Sequence, residues 1–366
     1  KGRCPHCGQQ AGGSSCESCG GHFQPWELRE PRSTRDENAP VTMQTWIQDE
    51  PFLVIQDDAA ILEWLDRSRL APRVRDRARR AITGQSHHVR LLAPTTWGIP
   101  DPDGRRQATL YTYSFNFAYC LYVGGVYREL VDPNKPHPFS PESNVQITAT
   151  FGLDVMMTKL LNLPALCFAH GGYRPFDRAI VNPFYLLQGE KFSTSRGHAI
   201  WVKDWSERRV PIDATRYYLA TISQPNFDQR SNFDLDEFPN VWNSFAEPLN
   251  RVLANAARTI TERPADPPDP PLIRRFQQCL LEQERALDEE PLDLARVARS
   301  IEAWTRFDLG DHRASSGSYW WLKGLAVLAY PLMPTFSELL WKRLGPHHSL
   351  PRLGEWLARP SSLNLP

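Results

Sequence analysis

The stretch Phe184-Tyr-Leu-Leu-Gln-Gly-Glu-Lys191-Phe-Ser-Thr-Ser195-Arg-Gly197 sets a short apolar run before a small, polar, glycine-flanked loop. That order predicts a strand ending in a phosphate-handling loop, because backbone N–H groups approach an anion closely only where side chains are small. Upstream, Phe151-Gly-Leu-Asp154 precedes Val155-Met-Met-Thr-Lys159-Leu-Leu, whose apolar positions have helical period. Strand, turn and helix in alternation predict an α/β domain over residues 88–235. Two further apolar runs there, 110–122 and 162–168, are expected as buried strands or strand ends, with Pro-Asp-Pro-Asp-Gly at 100–104 as a turn.

On the N-terminal side, residues 1–35 hold four of the seven cysteines as Cys4-Pro-His-Cys7 and Cys16-Glu-Ser-Cys19, with glycines after each pair. Each C-x2-C turn aims two thiolates at one point, and two such turns complete a tetrahedron of sulfur around Zn2+. Two disulfides are the other reading of four cysteines. The scattered Cys120, Cys167 and Cys279 lie in apolar surroundings, and an odd count without a secretory signal fits a reducing, cytoplasmic compartment. Residues 36–87 form the next segment; 52–82 reads as helical, with seven arginines between Arg67 and Arg80. Those arginines form either a solvated helix face or an RNA or phosphate contact.

Residues 236–366 read as all helical. Val241, Trp242, Phe245, Leu249, Val252, Leu253, Ala256 and Ile260 make one apolar stripe, and helical patterns resume at 272–290, 291–307 and 318–344. The whole chain has 366 residues, 41% hydrophobic and 23% charged, which is enough for two or three packed cores. Lys+Arg and Asp+Glu are both 42, so a globally basic nucleic-acid surface is excluded while a local patch is not. No apolar run is long enough to span a membrane. Lys1 is not an initiator Met, so the chain is expected to start inside a longer reading frame. Only seven basic residues are lysines, which draws attention to Lys159 among Met156, Met157, Leu160 and Leu161.

The order of these motifs carries a resemblance. The four-Cys segment runs into Pro25-x-Glu27-Leu28-x-Glu30-Pro31. Trp97-Gly-Ile-Pro100, Phe151-Gly-x-Asp154, Lys191-Phe-Ser-Thr-Ser195-Arg-Gly197, Asp213-Ala-x-Arg216-Tyr-Tyr218 and Phe233-x-Leu-x-x-Phe238 follow. The chain resembles the methionyl-tRNA synthetase family of class I synthetases over essentially its whole length. The resemblance implies the second half of a Rossmann-like nucleotide-binding fold with a zinc-knuckle insert, followed by an all-α, anticodon-binding-like bundle. It implies ATP and Mg2+ as cofactors beside structural Zn2+. Lys191, Ser193, Thr194 and Ser195 look like the catalytic KMSKS loop, and Gly152 and Asp154 resemble the ribose-contacting pair, with Asn182 also on the ATP side.

Departures from the family pattern are expected to matter. Thr194 stands where the family loop has a second Lys, and Asn182-Pro183 where it has His-Gly. The methionine-pocket positions align with Ser114, Asn116, Phe117-Ala118, Leu121 and Lys159, and the anticodon-reading pair with Ala254 and Arg258. The Trp that stacks on the anticodon would fall around 311–318, while Trp304, Trp320 and Trp321 have the spacing of core or interface residues. No His-x-Gly-His signature occurs, so the HIGH-bearing half of the catalytic domain is expected as a missing partner. Three functions compete. The chain is part of a ligase that activates an amino acid as an adenylate and passes it to a small-molecule acceptor, as in the synthetase-like part of cupin-fused hydrazine synthetases. Alternatively it belongs to a divergent tRNA-charging enzyme, or is a non-catalytic remnant. Lys159 either pairs with an acidic group of the substrate or snorkels at the surface.

Overall fold

The computed structural model describes residues 1–12, 16, 23, 25–33, 36, 39, 41, 51–55, 57–83, 87–194, 197–225, 231–259, 267–307, 315–344 and 351. They form two compact units, Lys1–Pro183 and Phe184–Pro366. That division falls inside the expected 88–235 segment.

In the first unit, β1 (Gly2–Arg3) and β2 (Gln10–Ala11) pair antiparallel across the first cysteine turn. The 52–82 stretch, expected to be helical, opens instead with a strand, β3 (Phe52–Ile55), and becomes helical only at α1 (Ala59–Arg67) and α2 (Pro72–Ile82). Pro72 starts α2, where its missing N–H costs nothing. β3 pairs antiparallel with β4 (His87–Arg90), and β5 (Leu92–Ala93) with β6 (Thr109–Leu110), so the 100–104 turn does link two strands.

The run expected as a strand at 110–122 is instead the helix α3 (Thr112–Val131). Its aromatic and β-branched content suits a strand, but the helix runs on for twenty residues, through Gly124-Gly125, beyond a strand's usual length. β7 (Thr148–Gly152) leads through a 3-10 turn (Leu153–Val155) and a π-turn (Thr158–Asn162) into α4 (Leu163–His170). The strand expected at 162–168 is therefore helical too. Pro164 fits the first turn of α4, and Gly171 ends it in the left-handed conformation at φ 76°.

β8 (Arg178–Asn182) pairs parallel with β7, with Gly152 opposite Asn182. The chain at Arg69 joins the other edge of β8: Arg69 N–H donates to the Asp177 carbonyl, and Ala179 N–H to that of Arg69. Trp64 locks this docking, its indole N–H reaching the Phe176 carbonyl at 2.9 Å and its ring packing edge-on against Phe176.

In the second unit, β9 (Leu186–Leu187) and β10 (Glu190–Lys191) form a tight hairpin. Gln188 and Gly189 both have positive φ, the requirement of a type I′ turn. After α5 (Val202–Glu207) and α6 (Ile212–Thr221), β11 (Asn232–Phe233) pairs parallel with β9. The rest is helical as expected: α7 (Glu237–Thr259), α8 (Pro270–Asp288), α9 (Leu294–Thr305), α10 (Ser315–Ala329) and α11 (Pro334–Arg343). Their core contains Trp304, Trp320 and Trp321, all fully buried. Trp304 and Trp321 each donate an indole N–H to the other's carbonyl, with rings nearly parallel, so they are core residues and have no face free for a base. Lys323 is buried among Tyr319, Trp320 and Trp341, its ammonium 5.3–6.0 Å from the three ring centroids.

Candidate active-site elements

The N-terminal hairpin brings three thiols together. The Sγ atoms of Cys4, Cys7 and Cys16 lie within 4.8 Å of one another, and those of Cys7 and Cys16 are 3.6 Å apart. The turn is built for sulfur: His6 N–H donates to Cys4 Sγ at 3.3 Å, and Gly8 N–H closes on the Cys4 carbonyl. Gly8 has φ 74°, a conformation glycine adopts without the Cβ clash of other residues. Cys19 lies outside the described residues.

Gly152 and Asn182 are register partners at the carboxyl ends of two parallel strands, the edge at which α/β sheets bind ligands. Asp154 follows in the 3-10 turn, and its carboxylate folds back over Gly152: a Cβ on Gly152 would meet Asp154 Oδ1 at 2.6 Å. These three expected nucleotide-side residues are thus brought together within the first unit.

Lys191 and its loop belong to the second unit. Lys191 stands on β10 opposite Leu186, and its Nζ is 5.2 Å from the Phe184 ring centroid. Ser193 exchanges backbone hydrogen bonds with His198, and Gly197 N–H reaches the Thr194 carbonyl, so the loop is pinched at its base. His198 Nε2 lies 2.8 Å from the Leu187 carbonyl, holding the pinch against β9. Thr194 is exposed, and Ser195 lies outside the described residues.

The α3 residues expected to line an amino-acid pocket fall in two groups. Asn116 and Phe117 lie on the side of the helix that carries Tyr113 and Cys120, by the 3.6-residue period. Phe117 meets the rings of His170 and Tyr173, each at 5.9 Å. Ser114 and Leu121 lie on the flank: Ser114 Oγ donates to the Arg90 carbonyl, and the Leu121 carbonyl meets His137 Nε2 at 2.8 Å. Lys159 sits half-buried in the π-turn. Burial lowers its pKa, and the nearby Cys120 thiol opposes that shift. Burial pushes the Cys120 thiol up and the Cys167 thiol up to about 12. Cys120, Tyr113, Phe184 and His198 were not singled out as site residues from the sequence. For Phe184 a signal existed, since the Gln188-Gly189 hairpin fixes its register relative to Lys191.

The motif Asp213-Ala-x-Arg216-Tyr-Tyr218 forms a clamp on α6. The buried Asp213 carboxylate accepts from Phe336 N–H at 2.6 Å and Thr335 N–H at 3.4 Å, at the start of α11. Arg216 donates to the Pro331 and Leu332 carbonyls beyond the end of α10. Tyr217 donates to Glu302 of α9 at 2.6 Å, while Tyr218 packs on Phe233 of β11 and on Phe238.

The arginines of α1 and α2 are partly tied internally: Arg67 pairs with Glu63, Arg79 with Asp66, and Arg75 donates to the Ser68 carbonyl. Ala254 is exposed on α7, and the side chain of Arg258 lies outside those described.

Residues 1–261 match the family described as tRNA synthetases class I (M), which places the chain in the class I synthetase fold; the parallel β7–β8 pair, the pinched lysine loop and the following helical bundle are consistent with it. Within that class, the chain belongs to the methionyl-tRNA synthetase family. Similar curated proteins include the methionine–tRNA ligases of Methanopyrus kandleri, 26% identical over 94% of this chain and 54% of its own length, and Salinibacter ruber, 25% identical over 94% and 53%. The chain therefore spans about half the length of these relatives. Among solved structures, methionyl-tRNA synthetase of Mycobacterium tuberculosis bound by methionyl-adenylate has the same fold, with TM-score 0.64 at 15% identity, covering 86% of this chain and 68% of that one.

Proposed function

We propose that this chain is the second half of the catalytic domain, with the helical domain, of an ATP-dependent ligase that activates an amino acid as an adenylate. The observation that carries this is the convergence of Gly152, Asn182 and Asp154 at the carboxyl ends of β7 and β8, in a chain that also keeps Lys191 in a pinched loop. Gly152 lets a ribose approach the backbone, and the Asp154 carboxylate accepts from its hydroxyls. Lys191 places one positive charge, steadied by Phe184, where negative charge develops on the phosphates as the substrate carboxylate attacks the α-phosphorus. Mg2+ would supply further neutralisation of the phosphates.

The four segments 1–35, 36–87, 88–235 and 236–366 then serve as zinc knuckle, insert, nucleotide-binding half and anticodon-like bundle. Cys4, Cys7 and Cys16 offer three of the thiolates a structural Zn2+ takes, and Cys19 is the natural fourth. A second polypeptide segment bearing the HIGH-type signature completes the fold. Two features support its place: among the described residues the outer edge of β7 is unpaired, and α3 leaves Tyr119, Tyr122, Val123, Tyr127, Leu130 and Val131 exposed. Parallel strands are ordinarily covered on both faces and flanked by further strands.

The rewritten pocket wall, together with Ala254 at the anticodon-reading position and the lack of a Trp around 311–318, favours a small-molecule acceptor over tRNA, in the manner of a cupin-fused hydrazine synthetase. The rival reading, tRNA charging, draws on the names of the relatives. No helix of the described residues is long and apolar enough to cross a membrane, and a cytoplasmic location fits the reduced thiols of Cys120, Cys167 and Cys279. The test is amino-acid-dependent ATP–pyrophosphate exchange in the polypeptide carrying both halves, followed by transfer to tRNA or to hydroxylamine-type acceptors. Exchange that requires an amino acid, with no transfer to tRNA, is the expected result; efficient tRNA charging selects the rival.

A further inference from the structure

We propose that the outer face of the N-terminal hairpin is a binding site for a phosphate group carried on a small polar body such as a sugar. The site stands independently of the ligase reading.

The two faces of the hairpin differ in chemistry. Side chains alternate along β1, so Gly2 and Cys4 turn inward and are buried, while Lys1 and Arg3 turn outward and are exposed. β1 also lies between two neighbours. Arg3 is the register partner of Gln10 on β2, and on its other side it exchanges backbone hydrogen bonds with Arg29, at 2.6 and 2.9 Å. The inner face serves the sulfurs, and the outer face carries charge.

Beside β1, residues 29–32 do not run as a regular strand. Arg29 bonds to Arg3, and Arg32 N–H donates to the Lys1 carbonyl at 2.7 Å, so Glu30 and Pro31 together stand opposite Gly2. The extra residue makes a β-bulge, and Glu30 absorbs it at φ 46°, a left-handed conformation uncommon outside glycine. Bulges re-aim side chains. Here the Glu30 carboxylate accepts from Arg3 Nε at 2.8 Å, and Arg32 comes alongside Lys1. Gly2 permits the close approach, since a Cβ there would meet the Arg29 carbonyl oxygen at 2.7 Å.

The result is a cavity of about 410 Å³, the size of a small-molecule site. Its lining sets three cations, Lys1, Arg3 and Arg32, against one carboxylate, Glu30, an excess that suits a dianion. Among the described residues no carboxylate ion-pairs with Lys1 or Arg32. Glu30 engages Arg3 through Nε, which leaves the terminal guanidinium nitrogens for an anion. A phosphate offers up to two charges and three acceptor oxygens to these three side chains, where a carboxylate offers one charge and two oxygens. Gln9, Gln10 and Ser33 complete the lining with amides and a hydroxyl, and the Glu30 carboxylate is an acceptor for sugar hydroxyls. Gly8 keeps one wall open: a Cβ there would meet nothing within 4 Å.

Ribose 5-phosphate, ribose and a short RNA bearing a 5′-phosphate are the probes, titrated calorimetrically into the polypeptide carrying both halves of the fold. Ribose 5-phosphate is expected to bind and ribose not to. Lys1→Ala and Arg32→Ala should each weaken that binding roughly tenfold, the scale of one charge-assisted hydrogen bond, and Lys191→Ala should not weaken it. An unshifted Tm shows that the two surface variants stay folded. RNA that binds more tightly than ribose 5-phosphate, and loses affinity steeply with salt, makes the ligand a nucleic-acid phosphate; equal binding makes it a free sugar phosphate. Failure of both phosphates to bind overturns the proposal. So does ribose binding as well as its phosphate, or phosphate binding that Lys1→Ala and Arg32→Ala leave intact.

Discussion

At the scale of single residues, Lys191 shows how a flexible cation is held ready. Its hairpin partner is Leu186, and Phe184 lies two residues back on the same face, a diagonal neighbour within reach of a long side chain. The ring limits the ammonium's freedom before any phosphate arrives. Lys191→Ala should depress ATP–pyrophosphate exchange by roughly 10²–10³, the scale for removing one preorganised charge partner. Unchanged exchange in that variant would show that the loop does not meet the phosphates. Gly152→Ala is a steric counterpart: its new Cβ would press on Asp154 Oδ1, so KM for ATP should rise while the fold survives.

At the scale of elements, the N-terminal hairpin and the α6 clamp make separate predictions. The protein is expected to retain one zinc per chain through gel filtration, and Cys7→Ser to lose it and loosen only residues 1–33. Metal analysis together with the near-unchanged helical signal of the second unit would check this. Asp213→Ala leaves the first amides of α11 without their buried acceptor, which should cost about 1–2 kcal/mol in chemical denaturation.

The elements also show what a sequence discloses. The helices of the second unit were legible because the stripe from Val241 through Val252 keeps one period with one buried face. The hairpin was legible because C-x2-C with trailing glycines has few other uses. α3 was not, because its period is blurred. Phe115, Tyr119 and Tyr122 point to solvent while Phe117 and Gly124 pack inward, so apolar residues surround the axis. The motif around Asp213 was recognised as a family mark, yet its job as a cap depends on Thr335 and Phe336, more than a hundred residues away.

At the scale of the whole molecule, the exposed side of α3 governs how the chain behaves by itself. Tyr122 is 70% and Leu130 81% exposed, on a helix with little charge to keep it apart from other copies. Such a surface marks an interaction site or an aggregation liability. The chain alone should bind a hydrophobic dye, and co-expression with the HIGH-bearing half should abolish that fluorescence. The clamp on α6 has a different consequence, one of timescale. Tyr218 and Phe233 tie the strands beneath Lys191 to α6, while Asp213, Arg216 and Tyr217 tie α6 to α9, α10 and α11. A segment fastened at so many points does not fray by itself; it opens when the bundle opens. Amide protons of α6 and β9 should therefore exchange with deuterium as slowly as those of α9, and lose protection together with them.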